Sequence, residues 1–235
     1  MAINQKVEGG FERNITHWFQ PIYQLKHNNI VAYEALLRNV SALQTSPVDI
    51  FDEAKKHGCL NALDLMSVKT AVETYTDRSA LLFLNVFPST LLEKGFLSWW
   101  DAHIPPQKPI VLELLENEPV GNWEELKTVI GELKVRGIRI AVDDMGTGYS
   151  FFQHWIELCP DFIKLDRYFS ENLSTSSQKQ KVVSSLVDLL SGTAEIIIEG
   201  VETKADLDTA ESLGIPYAQG YLLGRPSPYG LRPKG

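Results

Sequence analysis

Cysteine, clustered histidine, long apolar runs and positive charge are all scarce in this sequence. Two cysteines, Cys59 and Cys159, stand among 235 residues, too few for a disulfide scaffold and without metal-like spacing. They read as reduced thiols of a cytoplasmic protein. The five histidines (His17, His27, His57, His103, His154) are scattered. No HxxH or HExxH pair occurs, which removes the usual zinc-hydrolase patterns. No apolar stretch approaches the roughly 18–20 residues of a transmembrane helix, and the opening MAINQKVEGG lacks the charged-then-apolar order of a secretory signal. The charge balance is 22 Lys+Arg against 30 Asp+Glu, a formal net of −8. A binder of DNA or RNA duplex neutralises phosphates with clustered Lys and Arg, so that class is excluded. A phosphate-bearing substrate is not, because carboxylates can hold metal ions that meet the phosphate instead.

What is present is an ordinary globular composition, 44% hydrophobic and 22% charged, at a length that one α/β barrel can fill. Short apolar or alternating runs predict eight strands: Trp18–Leu25, Ile30–Leu37, Leu81–Val86, Pro109–Leu115, Ile138–Asp143, Asp161–Leu165, Glu195–Ile198 and Tyr217–Leu222. Helical periodicity fills the intervals at Val48–His57, Asn61–Tyr75, Ser89–Asp101, Trp123–Arg136, Ser177–Leu190 and Lys204–Leu213. Thr203 followed by Asp206 suits a helix start, while Gly137 and Gly214 suit helix ends. Alternating strands and helices imply parallel pairing with right-handed crossovers, and eight units imply closure. Only four residues, Lys26 to Asn29, separate the first two strands, too few for a crossover helix. The expectation is therefore a modified (β/α)8 TIM-like barrel with an antiparallel first strand. Residues 1–10 read as a lead or linker, and 11–235 as a single domain.

Polar residues recur within or just after these strands: Glu34, Asn85, Glu113 with Glu116, Asp143 with Asp144, Lys164, Glu199 and Gln219. A charge at the end of a buried strand is costly unless it is paired or bound to a metal. Any one of them could cap a helix or meet a surface lysine. Their recurrence along consecutive strands instead places six carboxylates, two amides and a lysine at one mouth of the barrel, where barrel enzymes build their sites. Oxygen donors without histidine or thiolate suit Mg²⁺ or Mn²⁺. More carboxylates than one ion takes suggest two ions, a recurrent solution to phosphate-ester hydrolysis.

The series resembles the EAL-domain cyclic di-GMP phosphodiesterases. Tyr33-Glu34-Ala35-Leu36-Leu37-Arg38 carries the signature tripeptide, and Phe19-Gln20-Pro21-Ile22 resembles the opening strand. Glu113-Leu114-Leu115-Glu116 is similar to the ExxE element, and Asp143 to Ser150 to the DDFGTGYS loop. Ile163-Lys164-Leu165-Asp166, Glu199-Gly200-Val201-Glu202 and Gln219 to Pro226 complete it in order. The resemblance implies hydrolysis of cyclic di-GMP to linear pGpG by in-line attack of a metal-activated water. It implies that Glu34, Asn85, Glu113, Asp143, Asp144 and Glu199 hold two Mg²⁺ or Mn²⁺ ions, with Lys164 beside the water and Glu199 as a secondary general base. Gln20, Leu36 and Arg38 would line the substrate groove. Glu202 and Gln219 would hold Lys164 and the ligands in register, and Glu116 would fix the Asp143–Ser150 loop, through which, with the following helix, two copies would form a homodimer. Met145, Leu115, Phe87, Asn39 and the Phe151-Phe152 pair depart from the family pattern without removing a proposed ligand. Two other readings remain open: a weak or inactive module that binds cyclic di-GMP or a protein partner, and a phosphodiesterase acting on other nucleotides.

Overall fold

Alternation along each strand decides the architecture, because successive side chains point to opposite faces of a sheet. The computed structural model describes residues 15–40, 47–106, 108–115, 120–145 and 156–229, with the side chains of Asp144 and Met145 left outside. Its strands are β1 (Ile15–Gln24), β2 (Asn29–Asn39), β3 (Leu81–Val86), β4 (Ile110–Leu114), β5 (Arg139–Met145), β6 (Phe162–Leu165), β7 (Glu195–Ile198), β8 (Tyr217–Ala218) and β9 (Ser227–Pro228). From β2 to β8 neighbours pair in parallel in chain order. β1 runs antiparallel to both β2 and β8 and so closes the ring. The short β8 pairs with β1 only at Tyr23 and Gln24, and β9 takes the same edge further along, at Trp18 and Phe19. The expected barrel with its reversed first strand is what the chain forms.

Helices sheathe the ring at Pro47–Lys56, Leu60–Thr74, Pro88–Leu91, Phe96–His103, Trp123–Val135, Arg167–Ser170, Ser177–Leu190 and Lys204–Ser212. Outward side chains such as Leu82, Leu84, Leu112 and Ile140 pack with the helices around one half, and Ile163, Leu165, Ile196 and Ile198 do so around the other. Thr203 caps its helix as expected, its Oγ1 accepting from the Asp206 amide at 3.1 Å. Gly137 and Gly214 take the left-handed conformation at helix ends, with φ of 80° and 90°.

Two expectations need correction. The helix expected at Ser89–Asp101 is split, because the chain turns through Gly95 at φ 94°, which starts a second helix at Phe96. The strand expected at Tyr217–Leu222 stops at Ala218. There Gln219 accepts a hydrogen bond from the Val201 amide, and Leu222 donates to the Val201 carbonyl, drawing the chain out of the sheet. Arg167–Ser170 and β9 are additions that periodicity did not indicate.

Inward side chains form layers. Ile22, Ala32, Phe83, Val111, Ala141, Phe162 and Ile197 fill the barrel as one buried cluster, with Phe83 and Phe162 meeting edge to face at 5.2 Å. Two residues along each parallel strand, on the same face, stand Glu34, Asn85, Glu113, Asp143, Lys164 and Glu199. β1 runs the other way, so its contribution to that layer, Gln20, precedes Ile22.

The close approach at Gly220 is a testable constraint. A Cβ there would lie 2.1 Å from the Val201 carbonyl oxygen and 2.2 Å from its nitrogen, backbone atoms that cannot swing aside. Gly220→Ala should lower stability by about 1–3 kcal/mol in urea unfolding. His17 gives a second test. It is buried against the Leu60–Thr74 helix, with Nε2 3.0 Å from Ser67 Oγ. Burial, reinforced by the Arg38 charge, pushes its pKa from 6.5 down to about 3. The unfolded chain therefore takes up a proton that the fold refuses, so stability present above about pH 6.5 is lost as pH falls toward 3. Between pH 7 and 5, the wild type should lose about 2 kcal/mol more than His17→Leu, measured by urea unfolding at each pH.

Candidate active site

The layer above the apolar filling closes on one ammonium group. Lys164 Nζ on β6 lies 2.6 Å from Glu113 Oε1 of β4 and 2.6 Å from Glu199 Oε1, just beyond β7. Glu34 Oε2 of β2 and Asp143 Oδ1 of β5 stand at 3.5 Å. The Lys164 side chain is 1% exposed and that of Glu113 0%. Amides set the remaining orientation: Gln219 Nε2 donates to Glu34 Oε2 at 2.7 Å, and Asn85 Nδ2 donates to Glu34 Oε1 at 3.1 Å. Both oxygens of Glu34 are thereby fixed.

Charge at this centre is unbalanced. Four carboxylates against one ammonium make −4 + 1 = −3 if all are ionised. Burial raises the Glu113 carboxyl well above its ordinary range, and Asp143 adds to that while Lys164 opposes it. Burial likewise lifts Glu199 to about 8, with Lys164 pulling the other way. For Lys164, burial favours the neutral amine, but the surrounding carboxylates outweigh it and hold the ammonium well above its usual pKa.

Other expected residues fall around this centre in different ways. Gln20 is buried at the mouth, its Nε2 donating to the Gly224 carbonyl at 3.1 Å. Leu36 lines a second, more apolar cavity of about 250 Å³ that also touches Glu34 and Asn85. Arg38 lies over the Trp18 ring at 5.3 Å and donates to the Leu37 carbonyl at 2.7 Å. Glu202 pairs with Arg167 at 3.0 Å, not with Lys164. Glu116, residues 146–155 and the side chain of Asp144 lie outside the described residues, as does the lead of residues 1–10.

Sequence reasoning missed the rim. Arg167 and Tyr221 line the polar mouth, a cavity of about 250 Å³ shared with Lys164, Asp143 and Glu199. Arg225 stacks over the Tyr221 ring at 4.1 Å. Arg167 directly follows Lys164-Leu165-Asp166, so its place just past a strand end was the available signal. Asp166 caps the short helix that presents it, accepting from the Tyr168 amide at 2.8 Å.

The donor chemistry fits divalent metal. Glu34, Glu113, Asp143 and Glu199 offer carboxylate oxygens and Asn85 an amide, the ligand types of hard cations. Glu113 Oε2 is buried without a hydrogen-bond partner, and Asp143 Oδ1 has the Lys164 ammonium at 3.5 Å but no hydrogen bond, an expensive condition unless something else meets them. Among the described residues no group of three acidic, histidine or cysteine side chains is spaced to hold a metal ion as it stands. The physical reason is that the carboxylates close on the ammonium instead.

This chain has relatives among known proteins. The probable cyclic di-GMP phosphodiesterase PdeA of Escherichia coli (strain K12) is 35% identical over 151 residues, 62% of this chain and 21% of that protein. The probable cyclic di-GMP phosphodiesterase PdeI of the same organism is 30% identical over 226 residues, 90% of this chain and 29% of that protein. The chain thus spans less than a third of either relative's length. A manganese/cyclic di-GMP complex of Klebsiella pneumoniae BlrP1 has the same fold, with a TM-score of 0.80 and 26% identity over 92% of this chain and 56% of that one. Residues 4–226 match the EAL domain, and the chain belongs to the EAL domain family.

Proposed function

We propose that this chain hydrolyses cyclic di-GMP to linear pGpG. The observation that carries the reading is the buried Lys164 ammonium ringed by Glu34, Glu113, Asp143 and Glu199 at the carboxyl mouth of the barrel. The names of the E. coli relatives and the Klebsiella complex support the substrate.

Glu34, Asn85, Glu113, Asp143, Asp144 and Glu199 are the residues that would hold two ions, Mg²⁺ or Mn²⁺. Such ions, when bound, lower the pKa of a coordinated water and offset phosphate charge. The chain's own contribution begins with placement. Gln219 and Asn85 lock the Glu34 carboxylate, and Glu113 and Glu199 hold Lys164 at the centre of the mouth. There the ammonium can orient the attacking water and counter charge on the phosphoryl oxygens. Water oxygen bonds to phosphorus, one P–O3′ bond breaks, and the proton reaches the departing 3′ oxygen. A 5′-phosphate stays on the linear product. Gln20, Leu36 and Arg38 would line the groove, with the Arg38 guanidinium meeting a phosphate. Two copies would pair through the Asp143–Ser150 loop and the helix after it.

Incubating the protein with cyclic di-GMP and Mg²⁺ or Mn²⁺ should yield pGpG by chromatography, and EDTA should stop it. Glu34→Ala should lower kcat by at least about 10²–10³-fold. Binding without product under every divalent metal would replace this reading with that of a binding module, and turnover of other nucleotides at equal rates would replace it with a broad phosphodiesterase. Lys164→Met should also lose turnover. In EDTA it should cost about 3–5 kcal/mol in urea unfolding, because buried carboxylates lose their partner.

A further inference from the structure

A polar stripe runs along the Leu60–Thr74 helix, and the chemistry proposed for the mouth does not use it. Asn61, Asp64 and Ser67 recur every third residue and so lie on one side of the helix. Leu63, Leu65, Val68, Ala71 and Val72 are buried around them. Asp64 is 0% exposed. A carboxyl group this deep is costly unless it is met, and its Oδ2 accepts from the Phe87 amide at 2.9 Å. One turn earlier, Asn61 Oδ1 accepts from Ser89 Oγ at 3.1 Å and from Thr90 Oγ1 at 3.3 Å. Both side chains grip the turn by which the chain leaves β3. Ser67 reaches β1 instead, with its Oγ 3.0 Å from His17 Nε2.

We infer that Asp64, supported by Asn61, is a positioning residue that aims Asn85 into the mouth. The inference rests on the proposed phosphodiesterase reading and adds what holds one of its proposed metal-binding residues in place. The carbonyl of Val86 and the N–H of Phe87 belong to a single planar peptide unit. That carbonyl accepts from the Leu115 amide at 3.2 Å, on the β4 side, and that N–H donates to Asp64, on the helix side. The plane is clamped at both edges, one residue beyond Asn85. Pro88 adds to this by keeping Phe87 extended, at φ −78° and ψ 139°. From the strand so fixed, Asn85 Nδ2 donates to Glu34 Oε1 at 3.1 Å, opposite the Gln219 contact to Oε2. An apolar residue at position 64 would also pack between helix and sheet, but it would leave the Phe87 amide without its acceptor. The peptide plane could then turn, and Asn85 and the Glu34 carboxylate would shift with it. A misplacement of about 1 Å at a reacting centre can cost about 10²-fold in rate.

The test compares wild type with Asp64→Asn, Asp64→Leu, Asn61→Ala and Ser67→Ala. Asp64→Asn keeps an oxygen for the Phe87 amide, and Asp64→Leu removes it. Three readouts are taken: the Asn85 side-chain amide resonances by heteronuclear NMR in EDTA, kcat and KM for cyclic di-GMP with Mg²⁺, and thermal melting. Asn85→Ala assigns the resonances by their absence. In Asp64→Leu the Asn85 resonances should move and their hydrogens exchange faster, with kcat lowered about 10- to 100-fold and KM within about twofold. Asp64→Asn should restore the resonances and kcat. Asn61→Ala should move the resonances the same way by less, and Ser67→Ala should leave them in place. Unmoved resonances or an unchanged kcat in folded Asp64→Leu would overturn the role given to Asp64. So would an equal movement in Ser67→Ala, the mark of a helix loosened as a whole, or a folded Asp64→Asn as slow as Asp64→Leu. If Asp64→Leu does not fold, Asn61→Ala decides, and unmoved resonances there overturn the inference. A wild type that makes no product removes the phosphodiesterase reading, and the metal-free resonances then decide alone whether Asp64 aims Asn85.

Discussion

One buried ammonium organises this barrel. Lys164 sits among the carboxylates of Glu34, Glu113, Asp143 and Glu199, which come from or follow four different strands. Neither partner in this arrangement is stable alone. A lysine this deep would lose its proton, and carboxylates this close would repel one another, if the other sign were absent. The excess of carboxylate over ammonium is the form in which the sequence's net negative charge matters. Local negative charge marks the mouth as a place for cations, which is the premise of the proposed phosphodiester chemistry.

The rest of the fold serves to hold that polar layer at a fixed height. Phe83, Val111, Ala141, Phe162 and Ile197 close the barrel beneath it. The step of two residues between filling and polar layer is the pleat period itself. A one-residue slip in β4 would exchange Glu113 for an outward leucine, Leu112 or Leu114. Gly220 shows how tightly the seam is drawn: the segment after Gln219 lies directly on the Val201 backbone, and this contact sets where Gln219 meets Glu34.

How much of this was legible in the sequence depended on the kind of signal. Leu81–Val86 and Glu195–Ile198 were readable to the residue, because apolar runs bounded by polar ends have few alternatives. The carboxylates were readable as strand-end charges, and their convergence follows from barrel topology. What they converge on was not, since spacing says nothing about which groups pair across the ring. Arg167 was missed because it lies past the strand, on a one-turn helix set by the Asp166 cap. Tyr217–Leu222 was over-extended because alternation cannot register that Val201 competes for the backbone of Gln219. Glu202 was expected to help hold Lys164 and the ligands in register, and the partner it takes is Arg167 at the rim.

The reversal of β1 has a consequence beyond closing the ring. In a parallel strand the mouth receives residues that follow the apolar filling, so a parallel β1 would present Gln24 and the turn after it. Running antiparallel, β1 presents the residues before Ile22. Gln20 then faces inward opposite Glu34, and His17, one face over and nearer the strand's start, turns outward to Ser67 on the Leu60–Thr74 helix. One strand thus lines both the polar mouth and the apolar cavity beside it. The tight connection through Leu25–His27 is left at the opposite end, away from the carboxylates. A short loop that first looked like an interruption of the βα repeat is what lets the opening strand supply two kinds of wall.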